Sequence, residues 1–160
     1  MPSSSRFPTP YSSTQIMDPV SIFATAVAVA KTVDLLAKSI KLVSDLRSQW
    51  KTADLEVATF ETQLIAVSAA LVKIRDWLNR SRDARDEFLT DVGRCVGYCE
   101  LLVRIIDKQV SKLQRVDAND KLDTHARVRL LFKAKDMSDA QKMLERVTSA
   151  LTLLLAACNR

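Results

Sequence analysis

Proline occurs four times in this chain and never after Pro19, and glycine occurs only twice. A stretch from residue 20 to 160 that lacks the main helix breaker, and is rich in Ala, Leu, Val, Lys, Arg and Asp, cannot furnish the closely spaced turns of a β fold. Long helices follow. With 160 residues and a hydrophobic share of 48%, the chain also carries enough apolar side chain for one domain with a sizeable core. The expected fold class is all-α, an antiparallel helical bundle of four long helices with room for a short extra helix before the last.

Charge and chemistry narrow the function. Lys and Arg number 24 against 19 Asp and Glu, a mild and well-mixed excess of +5. Nucleic-acid binders concentrate basic residues on one face with aromatic side chains between them, and no stretch here does so. Nucleic acid is not an expected partner, whereas anionic lipid suits such an excess. Three cysteines, Cys95, Cys99 and Cys158, are too few for a disulfide framework and point to a reducing, cytoplasmic setting. Cys95 and Cys99 share a helical face, but no second Cys or His pair completes a metal site, and small core residues are the simpler reading.

Catalytic motifs are also missing from the sequence. Both glycines lie inside a helical stretch, so no glycine-rich loop is available to cradle a phosphate. The one histidine, His125, sits in the polar, turn-like segment "DANDKLDTH" and gives thin support to nucleophilic catalysis. The paired carboxylates and histidines of a di-iron bundle are absent. The chain reads as a non-enzyme with no cofactor and no metal.

Residues 1–16, "MPSSSRFPTPYSSTQI", are Ser/Pro-rich and read as a disordered tail, which leaves 17–160 as the bundle domain. Asp18 is a suitable N-cap and Pro19 a suitable first helical residue. From there Ile22, Ala26, Val29, Val33, Leu36, Ile40 and Val43, with Trp50 beyond, recur at steps of three and four, opposite Lys31, Asp34, Lys38, Lys41 and Asp45. That predicts an amphipathic helix over about 19–49.

The second helix has the cleanest pattern: Val57, Phe60, Leu64, Val67, Leu71, Ile74 and Leu78 form an unbroken seam. Leu55, Ile65, Ala69, Val72 and Trp77 are expected to widen it toward more than one neighbour. The run "NRSRDARDE" closes that helix, with Ser81 as a cap for the next. A third helix over about 83–116 places Phe88, Val92, Cys95, Cys99, Leu102, Ile106, Val110 and Leu113 on one face. Gly93 and Gly97, one turn apart within it, are expected to admit another helix closely inside the bundle. "ARVRLLFKAK" is a short basic helix, and Ser138 with Gln141 has capping-box spacing ahead of a last stripe of Met143, Val147, Leu151, Leu154 and Cys158. The uncharged "SALTLLLAAC" near the end mirrors the opening stretch and is a candidate to pack beside it.

The opening stretch "PVSIFATAVAVA" runs 12 residues without charge, about 18 Å of helix, against the ~30 Å hydrocarbon core that a lone transmembrane helix must cross. One copy cannot span a bilayer. Several copies, turning Ser21, Thr25 and Thr32 toward a lumen, still offer a route to perforation. The simpler alternative is burial of Ile22, Phe23, Val27 and Val29 among the other helices.

The segments "MDPVSIFATAVAVAKTVDLLAKSIKLVSDLRS", "LEVATFETQLIAVSAALVKI" and "RLLFKAKDMSDAQKMLERVTSALTLLLA" resemble the fungal HeLo-like N-terminal domain of STAND, NLR-like proteins, over roughly residues 17–158. The resemblance implies a helical module of nonself recognition (heterokaryon incompatibility, a form of innate immunity) and programmed cell death, which oligomerises and is recruited to membranes through its first helix. It implies insertion of Val20, Ile22, Phe23, Val27 and Val29, with Lys31, Arg127, Arg129, Lys133 and Lys135 meeting lipid head groups. Implied partners are further copies of the chain, anionic membrane lipids, and a downstream nucleotide-binding and repeat region or a partner NLR-like protein. The opening helix departs from many relatives in having Ala and Val where they have glycines. A soluble adaptor bundle that binds protein partners without lipid contact is the competing expectation.

Overall fold

A computed structural model describes residues 19–48, 55–115 and 124–159. The described residues form five helices and no strand: α1 (Pro19–Ser48), α2 (Leu55–Arg80), α3 (Asp86–Arg115), α4 (Thr124–Lys133) and α5 (Lys135–Cys158). Asp18, Trp50 and the 1–16 tail lie outside them. No proline falls inside any of these helices beyond Pro19 at the first position of α1, so each backbone ladder runs without a break between its ends.

The four long helices pack as a ring, α1 on α2 and α3, and α5 on α2 and α3. At one pole the Arg47 guanidinium near the end of α1 meets the buried Glu61 carboxylate near the start of α2 at 2.7 Å. At the same pole buried Gln109, late in α3, donates to Asp136, early in α5, at 2.7 Å. There α4 packs on α5 and α3 and sets Phe132 edge-on to Phe60, with ring centroids 5.7 Å apart. At the opposite pole, Trp77 late in α2 meets Phe88 early in α3 at 4.8 Å.

The α2 seam is shielded from solvent along its whole length: Val57, Phe60, Leu64, Val67, Leu71, Ile74 and Leu78 are all buried. The widening expected around it is only partial: Val72 and Trp77 are half-buried, Trp77 packing against the core and Phe88, and α2 does meet both α1 and α5. Leu55, Ile65 and Ala69 face water, since the ring gives α2 two long neighbours and leaves its far side open. Nor does the last apolar stretch lie beside the first, because α5 takes α2 and α3 as its main partners and α1 sits across the ring.

Three local expectations are also corrected. Ser81 donates its backbone N–H to the Trp77 carbonyl, so it prolongs the last turn of α2 and α3 begins only at Asp86. Ser138 is inside α5, whose N-cap is Ala134 with no side-chain cap, because the 131–134 turn already bends the chain out of α4. His125 lies in the first turn of α4 and not in a loop.

The glycines in α3 are the clearest miss. Gly93 and Gly97 are exposed, and a Cβ built on either meets nothing within 4 Å, so they mediate no close helix approach inside the bundle. Their bare backbone only weakens the helix. Gly93→Ala and Gly97→Ala are each expected to raise stability by about 1 kcal/mol in urea unfolding, the ordinary helix-propensity gain. By contrast Ile74→Ala should cost about 2–5 kcal/mol, while Ile65→Ala, one seam-width away and exposed, should stay within about 0.5 kcal/mol.

Candidate functional site

Helix α1 has two distinct apolar faces. Its inner face buries Ile22, Ala26, Val29, Leu36 and Val43 in the core. Its outer face over the first three turns exposes Val20, Phe23 and Val27, at 68%, 69% and 51%, with exposed Ala24 and Ala28 between them. Helical spacing produces this division, since residues 20, 23, 24, 27 and 28 share a stripe that residues 22, 26 and 29 do not. The first charge on the helix is Lys31, exposed and two turns past Phe23. Val20, Phe23 and Val27 thus form a contiguous exposed apolar stripe on the outer face of α1.

The five residues implied as inserting are therefore divided. Val20, Phe23 and Val27 are presented to solvent, whereas Ile22 and Val29 reach lipid only if α1 leaves its seat.

That seat contains polar groups which the apolar periodicity did not anticipate. Thr32 and Ser39 are fully buried on the inner face, in line with Val29, Leu36 and Val43. The Thr32 hydroxyl donates to the Ala28 carbonyl at 3.0 Å, and half-buried Thr25 donates to the Ser21 carbonyl at 2.8 Å. Ser39 Oγ has no hydrogen-bond partner. A buried hydroxyl without a partner costs about 1–3 kcal/mol of desolvation, which the apolar burial of the same α1 face offsets.

The cations do not gather around the stripe. Arg129, Lys133 and Lys135 are exposed and Arg127 is half-buried, all on α4 or at the start of α5. Phe132 of α4 contacts Phe60 in the second turn of α2, while Ile22 and Phe23 share a small pocket with Leu78, Ser81 and Arg82 at its other end. From Phe60 to Leu78 is about 27 Å along the helix. The basic group beside Phe23 is instead Arg82, exposed in the α2–α3 connection. Sequence reasoning passed over Arg82, although pairing the end of α2 with the start of α1 places it there.

All three thiols are shifted away from the thiolate form. Burial, with Cys95 and Glu100 nearby, pushes the Cys99 thiol up to about 12. Burial and the Asp91 carboxylate raise Cys95, and burial raises Cys158. Among the described residues no group of three His, Cys, Asp or Glu side chains is placed to hold a metal ion. By length and composition α1 from Val20 and α2 are both apolar enough to cross a membrane, a property that core helices of bundles share; the 12-residue uncharged run alone therefore understated α1, whose apolar character continues past Lys31.

The orphaned hydroxyl yields a direct test of how α1 is seated. Ser39→Ala removes a buried oxygen without removing a partner, and is expected to raise the urea midpoint by an amount equivalent to about 1 kcal/mol. An unchanged or lowered midpoint would show that Ser39 is satisfied in solution. Comparison of the chain with protein-family models, with curated proteins and with solved structures finds no match in any of the three.

Proposed function

We propose that this chain is a non-enzymatic signalling and executing module that self-associates and reaches membranes through α1. The setting is the one the HeLo-like resemblance implies, NLR-like nonself recognition and regulated cell death in fungi. Its four long helices are read as one antiparallel bundle. The Arg47–Glu61 and Gln109–Asp136 ties support this, since each joins the end of one helix to the start of its neighbour.

The observation that carries the reading is the exposed Val20, Phe23 and Val27 stripe, uncharged up to Lys31. Moving these three side chains from water into an interface gains on the order of 5 kcal/mol at roughly 1.5–3 kcal/mol for each full burial. That is enough for reversible docking and not for anchoring, much as a single acyl chain binds only marginally. Lys31 and Arg82 flank the stripe and can meet anionic head groups as it docks. Deeper insertion requires Ile22, Val29 and Leu36 to leave the core, a step made easier by the unpaired Ser39 hydroxyl and more probable when several docked copies share it.

Dye release from anionic liposomes tests this. The wild-type chain is expected to release dye, and Phe23→Asp to lower the release at least about tenfold at equal helicity by circular dichroism. Equal release by the two proteins would remove the stripe from the mechanism. No release by either would leave the soluble adaptor bundle as the better reading.

A further inference from the structure

A second exposed apolar surface lies away from α1. Residues of α2, α3, α5 and the α2–α3 connection line a groove of about 1340 Å³, to which α1 contributes nothing. Small-molecule sites usually hold about 300–1,000 Å³. On α5 alone the groove runs from Asp139 to Ala157, about 27 Å of helix, which is the scale of a protein interface. Its apolar floor includes Trp77, Phe88, Tyr98, Met143 and Leu153, and two of these are largely open to water, Tyr98 at 54% and Leu153 at 74%.

The charges along this floor are divided by sign from end to end. Because Gln109 late in α3 bonds Asp136 early in α5, residue numbers fall along α3 as they rise along α5. The groove end where α3 begins and α5 finishes therefore carries Asp83, Glu87 and Asp91 against the one cation Arg85. The end toward the start of α5 carries Lys142 and Arg146, with Arg94 of α3 nearest the join, against the one carboxylate Asp139. Asp91 and Arg94 pair at 3.4 Å where the two halves meet, and setting them aside leaves the sign of each half unchanged.

We infer that this groove is the face through which two copies of the chain pair about a two-fold axis. An axis crossing the groove at its centre lays the acidic half of one copy on the basic half of the other, and does so twice, as an isologous contact requires. A partner of uniform charge would be repelled by one half. The same contact covers Tyr98 and Leu153, whose exposure otherwise has no structural return. The pairing does not rest on the membrane reading and leaves Val20, Phe23 and Val27 open.

Sedimentation equilibrium of the full chain, from micromolar to sub-millimolar concentration, tests the inference. The wild type is expected to dimerise. Lys142→Glu with Arg146→Glu makes both halves acidic, and Asp83→Lys with Glu87→Lys makes both basic; each pair should weaken self-association about 100-fold, since like charges then meet at both ends. Mixed in equal amounts, the two variants should recover a dimer at wild-type strength or better. All four side chains are exposed, so circular dichroism and thermal melting should match the wild type. Leu153→Arg, altered at the exposed floor, should also abolish pairing with the charges intact. A wild type that stays monomeric, reversal variants or Leu153→Arg that dimerise like the wild type, or a mixture that stays monomeric would each overturn the proposal.

Discussion

The rest of the structure depends on the single buried face of α2. Leu64, Leu71 and Ile74 are wholly shielded, and the seam they belong to never skips a turn between Val57 and Leu78. Both α1 and α5 pack on this helix, and α3 closes the ring by touching the same two neighbours. A face so fully occupied by large side chains sets the spacing of everything around it, because a close-packed interior tolerates neither gaps nor overlap. The small residues on the inner face of α1, Ala26, Thr32 and Ser39, belong to a helix that meets two such neighbours at once.

Much of this was legible from the sequence, and the parts that were not have a common cause. Periodicity alone identifies every buried residue of the α2 seam and the α1 positions Ile22, Ala26, Val29, Leu36 and Val43, because a core stripe is a property of one helix. What it cannot give is which stripes face each other. Leu55 and Ile65 are apolar yet exposed because no helix happens to lie there, and Gly93 and Gly97 look like a packing motif but open onto solvent. Thr32 and Ser39 escape the pattern for the opposite reason, being polar groups that the ring covers.

The candidate site shows the same divide. That the opening helix is apolar and uncharged up to Lys31 is written in the chain. That Phe23 points outward while Ile22, its neighbour, points inward follows from the rotation of about 100° per residue, once the buried face is known. The placement of the cations needs the fold itself. Residues of α4 are distant from Phe23 because α4 crosses the pole marked by Phe60, whereas Arg82, remote from Phe23 in sequence, becomes its neighbour through the α1–α2 pairing.

This arrangement separates folding from contact within a single helix. The residues that seat α1, Ile22, Val29 and Leu36, differ from those it offers to a surface, Val20, Phe23 and Val27, so contact can change with little effect on the fold. On the proposed reading a three-residue stripe docks too weakly to act alone, and the physical remedy is number, since linked copies convert each further docking event into an intramolecular one. The α3–α5 groove is suited to supply that linkage because α1 lines no part of it. Self-association and surface contact can then strengthen one another without competing for the same side chains.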